Sequence, residues 1–271
     1  MSSPTPDEPS TSLESLEEEV QKLLRQLAEV EKQRIEYLQN VSHQIVAPLN
    51  AMKWHIENIT ENRLSVDRAR KVLRSIYSQA TLAVHLAKNF SLMSNLEGDH
   101  TLSSMREPAQ EVNLRRLMIN LADDFQPLGW EQELRIIVDD KYFPEGPPVL
   151  AIKPLISQVF SNIFENAVKY STTGSNVIAT GAYNAGANTF NVHIRNLGIG
   201  LKATDYEKVF ERTYRSDEAK RRYPAGTGFG LYIAKRILAI HKGTISAATL
   251  DGWTVFSVEL PIDPRKREKQ S

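Results

Sequence analysis

The stretch SNIFENAVKYS, residues 161–171, decides how this chain is read. Taken as helix, it spaces Asn162, Asn166 and Lys169 by four and three, so the three align in one polar stripe. Val159, Ile163 and Ala167 supply the apolar flank that such a helix buries. Two amides and an ammonium then face one cavity. An ordinary amphipathic helix also puts asparagine on its wet side, but seldom in so complete a string.

The surrounding pattern mixes helix and strand. An apolar-periodic helix is expected near Leu114–Phe125, a strand at Leu134–Val138, and a helix from about Ile152 to Tyr170. Asn176–Tyr183 and Thr189–Arg195 read as a hairpin joined through Asn184, Gly186 and Asn188. A helix near Thr227–His241 and strands Thr244–Thr249 and Thr254–Leu260 close the domain, 110–264. The class is α+β, with helices on one face of a mainly antiparallel sheet.

Upstream the chain is all helix. Residues 1–12 are rich in Ser, Pro and Thr and lack the apolar side chains that offset ordering entropy, so a disordered tail is expected. Leu13, Leu16, Val20, Leu23, Leu27 and Val30 alternate steps of three and four, the seam of a left-handed coiled coil over 13–40 and a sign of a parallel dimer. Consecutive steps of four then shift the seam near Arg34 and continue it through Leu38, Val41, Ile45, Leu49, Met52, Ile56 and Ile59. A polar turn at Glu61–Ser65 leads to a second helix with Ala69, Val72, Leu73, Ile76, Ala80, Ala83, Ala87 and Phe90 inward. Two such hairpins, each covering 36–97, make a dimeric four-helix bundle. Residues 98–109, with Gly98 and Pro108, read as a linker, and 265–271 as a charged tail.

Composition removes several classes of function. The 271 residues carry 33 Lys+Arg and 33 Asp+Glu, so no overall basic excess favours nucleic acid or an anionic membrane. The absence of cysteine excludes disulfides, thiolate metal sites and cysteine nucleophiles, and suits a reducing cytosol. No apolar run approaches a membrane span, and MSSPTPDEPSTS is unlike a signal peptide. The expectation is a cytoplasmic protein, or the cytoplasmic part of a membrane-bound sensor.

His43 lies in SHQIVAPLN, midway along the first helix. It is two residues from Val41 and from Ile45, roughly 200° around the helix axis, and so points away from the face that buries them. Pro48 falls inside the helix, at a cost of roughly 3 kcal/mol. Alone, His43 would be one of six histidines and merely solvate a helix, as His55, His85 and His193 are expected to do. A neutral imidazole nonetheless offers a lone pair near pH 7 and suits attack on a γ-phosphate.

The ordered set of strings across about 36–262 resembles the sensor histidine kinases of two-component systems. SHQIVAPLN resembles their H-box, SNIFENAVKYS their N-box, RNLGIGL their first glycine box, VFERTYRSDE their F-box and GTGFGLYIAKRI their second glycine box. The resemblance implies a histidine phosphotransfer bundle followed by an α/β-sandwich ATPase domain of the gyrase and MutL kind. It further implies that ATP phosphorylates His43, and that the phosphoryl group then passes to an aspartate on the receiver domain of a separate response regulator. An upstream sensor domain or protein outside this chain would supply the signal.

By the same resemblance Asn166 binds Mg²⁺, since one amide oxygen suffices when phosphates and waters complete the shell. Asn162 shares its stripe, Lys169 contacts phosphate, and Tyr170 lies near the adenine. Asn196 stands where the family has aspartate; it keeps an acceptor oxygen for the adenine amine but loses the charge. Gly198 and Gly200 let the backbone approach the base, and Phe210 anchors the F-box. Arg212 and Arg215 are the expected phosphate contacts in a short basic lid that also holds Lys220, Arg221 and Arg222. Gly226, Thr227, Gly228, Gly230 and Leu231 bring backbone N–H groups and a helix start to the phosphates. No P-loop or Rossmann fingerprint competes.

Two departures bear on mechanism. The family's acid after the histidine is Gln44 here, and its Thr or Asn three residues later is Ala47. Gln44 cannot act as a base but can orient the imidazole N–H, so autophosphorylation with little phosphatase activity is expected. The alternative is a pseudokinase, a dimeric nucleotide-binding scaffold whose replaced acids mark lost chemistry.

Overall fold

The computed structural model describes residues 10–61, 64–97, 107–224 and 226–262. The first nine residues of the expected N-terminal tail, most of the linker and the charged C-terminal tail lie outside them. The described chain falls into two contact units, the residues up to His43 and those from Gln44 onward.

The first unit is the leading part of one long helix, α1, which spans Ser10–Glu61 without a break. The helix starts at Ser10, inside the segment expected to lack structure. Leu16, Val20, Leu23, Leu27 and Val30 are all at least half exposed in the single chain. An apolar row of this spacing needs a partner to bury it. The helix continues through Pro48, as the unbroken periodicity predicts.

In the second unit α1 ends at Glu61, and α2, Val66–Glu97, begins after Ser65. The Ser65 hydroxyl accepts from the Arg68 N–H at 3.4 Å, and its carbonyl takes the Ala69 N–H at 2.9 Å, which fixes the helix start. Within α2 a second buried row stands beside the expected one. Leu73 and Ala87 of the expected row are exposed in the single chain, as the α1 seam is, whereas Ser78, His85 and Met93 are buried. The cause is a second packing face, which α2 presents to the helices that follow.

The remaining elements form an α/β sandwich. β1 (Gln110–Val112) pairs antiparallel with β3 (Val149–Ala151) in a small ladder absent from the sequence expectation. Between them lie α3 (Leu114–Trp130) and β2 (Arg135–Val138). Asn113 caps α3, its side-chain oxygen accepting from the Arg116 N–H at 2.8 Å. α4 (Lys153–Tyr170) is followed by β4 (Asn176–Asn184), β5 (Thr189–Leu197), two single 3₁₀ turns at 203–205 and 208–210, and α5 (Asp217–Arg222). The last elements are α6 (Gly230–Ile240), β6 (Thr244–Leu250) and β7 (Trp253–Pro261). The main sheet has the order β2-β4-β5-β7-β6, parallel only between β2 and β4.

Alternation decides which face of the sheet is dry. Phe190, Val192 and Ile194 of β5 and Phe256, Val258 and Leu260 of β7 are buried at every second position. Helix α4 lies over them and has Ile156, Val159, Phe160, Ile163, Phe164, Ala167 and Val168 wholly inaccessible. At about 1.5–3 kcal/mol for each large apolar side chain, this helix is the centre of the core. Its polar stripe therefore has a fixed position, which the site exploits.

Candidate functional site

Helix α4 positions the first group of residues. Asn162 is 1% exposed, while Asn166, Lys169 and Tyr170 are half-buried on successive turns. Between them sits Glu165, a buried carboxylate that sequence reasoning did not single out. It pairs with Lys169 one turn on, and its other oxygen lies 2.7 Å from Nε2 of His85 on α2. Burial pushes Glu165 up, but Lys169 and His85 outweigh it and hold the carboxyl well below the usual carboxylate range. Burial likewise works against the Lys169 ammonium; Glu165 reverses this and raises it above its ordinary value. The ring of Tyr223 lies 4.7 Å from the Lys169 nitrogen, so the lysine is held between α4 and the lid.

The end of α4 is tied to the first glycine turn. The Ile199 N–H donates to the Tyr170 carbonyl at 3.2 Å, and Thr172 donates to Leu197 at 2.8 Å. Ser171 bridges to Gly198. A Cβ at Gly198 would lie 1.9 Å from the Tyr170 carbonyl oxygen, so the close approach requires glycine although its φ is unexceptional. Asn196 is 2% exposed, with its side-chain nitrogen next to Gly198. Gly200 supplies a left-handed turn, φ 68°.

The lid runs from Phe210, which is 2% exposed, to the start of α6. Arg215 shapes it. Its guanidinium donates to the carbonyls of Pro224 at 3.0 Å, Gly226 at 2.8 Å and Ala219 at 3.0 Å, and also to that of Tyr223. Four of the five N–H donors of an arginine are thereby engaged inside the lid. The missing side chain of Gly226 makes room, since a Cβ there would meet the guanidinium at 2.8 Å. Arg212 lies with its guanidinium 5.7 Å from the Phe229 ring. Gly226, Thr227 and Gly228 form the turn before α6, which starts at Gly230 with Leu231 in its first turn and no side-chain cap. The helix thus begins three residues later than expected, leaving its first N–H groups for other partners.

At the other end of the chain, His43 is exposed and Gln44 is 9% exposed. The neighbouring Ser42 hydroxyl donates to the Leu38 carbonyl at 2.8 Å. Of the histidines expected merely to solvate a helix, His85 departs most: it is 4% exposed and fully engaged in polar contacts. His193 is on a strand, half-buried against the Ser257 hydroxyl at 2.8 Å. No cluster of three or more metal-ligating side chains occurs among the described residues.

Residues 152–264 match the family described as histidine kinase-, DNA gyrase B- and HSP90-like ATPases. The sensor histidine kinase WalK of Bacillus subtilis is 31% identical over 243 residues, covering 88% of this chain and 38% of that protein. Over most of its length the chain is thus similar to sensor histidine kinases, and residues 152–264 belong to that ATPase family. The chain is also 28% identical over 239 residues to the sensor protein kinase WalK of Staphylococcus haemolyticus, covering 87% of itself and 38% of that protein. It therefore spans about two fifths of the length of these relatives. Among solved structures, Acinetobacter baumannii histidine kinase AdeS has the same fold, with a TM-score of 0.52 at 18% identity over 82% of this chain and 98% of that one. Full-length ShkA in complex with AMPPNP gives 0.55 at 21% identity, over 83% of this chain and 45% of that one. Among the described residues, no helix is long and apolar enough to cross a membrane.

Proposed function

We propose that this chain phosphorylates itself on His43 with ATP and passes the phosphoryl group to an aspartate on the receiver domain of a response regulator. The observation that carries the reading is the joining of α4, the Gly198 turn and the Arg215-stapled lid around one polar face, in a chain that also places an exposed histidine in an H-box string. The donor set fits a nucleotide. Asn196 offers a buried amide beside the Gly198 cradle, Lys169 a fixed positive charge, and the uncapped start of α6 backbone donors for phosphate. Asn166, half-buried on the same stripe, fits a single amide-oxygen anchor for Mg²⁺, which when bound neutralises phosphate charge.

The residues of this chain then have distinct tasks. Lys169 and the lid hold the phosphates, while Asn196 orients the base and Tyr170 lies beside it. Of the two lid arginines, Arg212 meets phosphate, and Arg215 shapes the loop that presents it. Gln44 orients His43 without removing its proton, so phosphatase action, which in this family uses the acid and the polar residue replaced by Gln44 and Ala47, is weak. The exposed seam of α1 pairs with that of a second copy, giving a dimer with the bundle at 36–97 and the ATPase domain at 110–264. The chain acts in the cytoplasm, driven by a sensor domain or protein upstream.

The test uses γ-labelled Mg·ATP. Label that is acid-labile, alkali-stable and absent from His43→Gln supports the kinase. Nucleotide binding with no transfer of label supports the pseudokinase scaffold, which the replacement of acids by Gln44 and Asn196 favours. Acid-stable label on serine overturns both.

A further inference from the structure

Helix α2 meets α4 through a connected set of polar side chains. The Gln158 amide nitrogen donates to His85 Nδ1 at 3.0 Å and to Asn89 Oδ1 at 2.9 Å, and Asn89 in turn donates to Asn162 Oδ1 at 2.8 Å. An amide nitrogen only donates, so Nδ1 of His85 accepts, while Nε2 has Glu165 Oε2 at 2.7 Å and the Asn89 amide nitrogen at 3.2 Å. The shorter contact to a carboxylate assigns the imidazole proton to Nε2, so the Asn89 amide donates to Asn162 and not to the ring. His85, Gln158, Asn162 and Glu165 are each less than a tenth exposed. The edge of the His85 ring also packs against Phe125 of α3, with centroids 5.9 Å apart.

The contact extends along α2 to α3. Arg74 lies over the Trp130 ring at 5.0 Å, Ser75 donates to Glu131 at 3.3 Å, and Tyr77 donates to Asp124 at 3.1 Å. Apart from one another, these polar groups would be satisfied by water, so folding of either element alone does not demand the match. Two residues of the nucleotide face are caught in it. Asn162 has its oxygen taken by Asn89, while its buried nitrogen has no partner. Lys169 is held by Glu165, which His85 fixes from the other side, so a continuous line His85, Glu165, Lys169, Tyr223 joins α2 to the lid.

We propose that α2 and the nucleotide compete for this face of α4, with His85 and Asn89 as a latch that holds the ATPase domain in a closed state of low nucleotide affinity. The inference rests on the reading above that Asn162 and Lys169 face the nucleotide. In the closed state Asn162 is turned to α2 and Lys169 is tied back to Glu165. Withdrawal of α2 returns both to the cavity. Linkage makes the effect reciprocal: whatever loosens the latch tightens nucleotide binding, and nucleotide loosens the latch by the same factor.

The chain has no cysteine, so Ser75→Cys with Glu131→Cys adds a single thiol pair across α2 and α3, away from the nucleotide face. Closure is read as the rate of joining the pair with a short bifunctional thiol reagent. Affinity is read by calorimetry with Mg²⁺ and a non-hydrolysable ATP analogue. His85→Ala with Asn89→Ala should bind the analogue about tenfold tighter and slow the cross-linking of the thiol pair about tenfold. The analogue should slow cross-linking in the chain with an intact latch, and the cross-linked chain should bind it about tenfold more weakly.

Asn89→Asp makes the same test without a cavity, since it sets an oxygen against Asn162 Oδ1; it should show the same gain in affinity. Cross-linking indifferent to both nucleotide and latch variants, or latch variants that bind no more tightly, overturns the latch. Lys169→Ala separates the two layers. Unchanged affinity there overturns the placement of the nucleotide, while the response of cross-linking to the latch variants still reports on the contact.

Discussion

Gly198→Ala tests whether the nucleotide site and the end of α4 are one structural unit. The added Cβ would lie 1.9 Å from the Tyr170 carbonyl oxygen, about 1.4 Å inside an ordinary carbon–oxygen contact of about 3.3 Å. The clash is with backbone, so no side-chain rotation relieves it. The Asn196 amide nitrogen, 3.1 Å from the new carbon, closes the other side. To make room, the turn at 197–199 has to move off residues 170–172, stretching the Ile199-to-Tyr170 and Thr172-to-Leu197 hydrogen bonds. Two backbone bonds at about 1 kcal/mol each and an overpacking cost of about 1–3 kcal/mol give a loss of about 3–5 kcal/mol. That is a large part of the about 5–15 kcal/mol of a typical domain. Urea unfolding of the full chain measures it, and titration with a fluorescent ATP analogue should show binding lost alongside. A loss below about 1 kcal/mol with binding intact would refute the reasoning, because the carbonyl contact would then be relieved elsewhere.

Other consequences follow from single contacts. Arg215→Lys replaces a planar fork that serves four carbonyls with an ammonium that cannot, so amide exchange across residues 217–226 should rise about tenfold or more; unchanged exchange would show that the lid holds itself. His241 accepts from the Ile152 N–H at 3.1 Å and lies 2.8 Å from the Ile237 carbonyl, and burial lowers its pKa below the ordinary 6.5. The folded state thus binds fewer protons, and stability should fall as pH drops through and below 6.5, less steeply in His241→Gln, by urea unfolding at a series of pH values. His193, lowered by burial as well, adds a slope of the same sign. Glu165, with its carboxyl held down, contributes stability that is complete above its unfolded value of about 4.5 and declines as pH falls below it; Glu165→Gln should remove that part of the acid profile and destabilise the chain by about 3–5 kcal/mol by stranding Lys169.

Much of this architecture was legible in the sequence because its elements are long and strongly periodic. The stripe Asn162, Asn166, Lys169 falls where the spacing puts it, and the strands 176–183 and 189–195 lie within β4 and β5. What escaped depends on contacts between distant segments. The β1 and β3 ladder has three residues on each side, too few to show a period. Ser78, His85 and Leu92 are all buried at steps of seven, a second stripe on α2 beside the apolar row. That spacing was visible, but histidine in a helix signals nothing until Gln158 and Glu165 arrive from another element. Leu73 and Ala87, expected inward in a bundle of two hairpins, are exposed in the single chain like the α1 seam, while the second stripe faces α3 and α4. Arg215 shows the same limit from the other side: a basic loop looks alike whether its guanidinium reaches for phosphate or folds back on its own carbonyls.

The central claim is the chemical fate of His43, and fragmentation mass spectrometry of the intact chain after incubation with Mg·ATP at neutral pH tests it most directly. The account predicts one phosphoryl group located on the imidazole of His43 and lost on brief acid treatment. Phosphate on any other side chain, or an unmodified His43 in a chain shown to bind Mg·ATP, would contradict it.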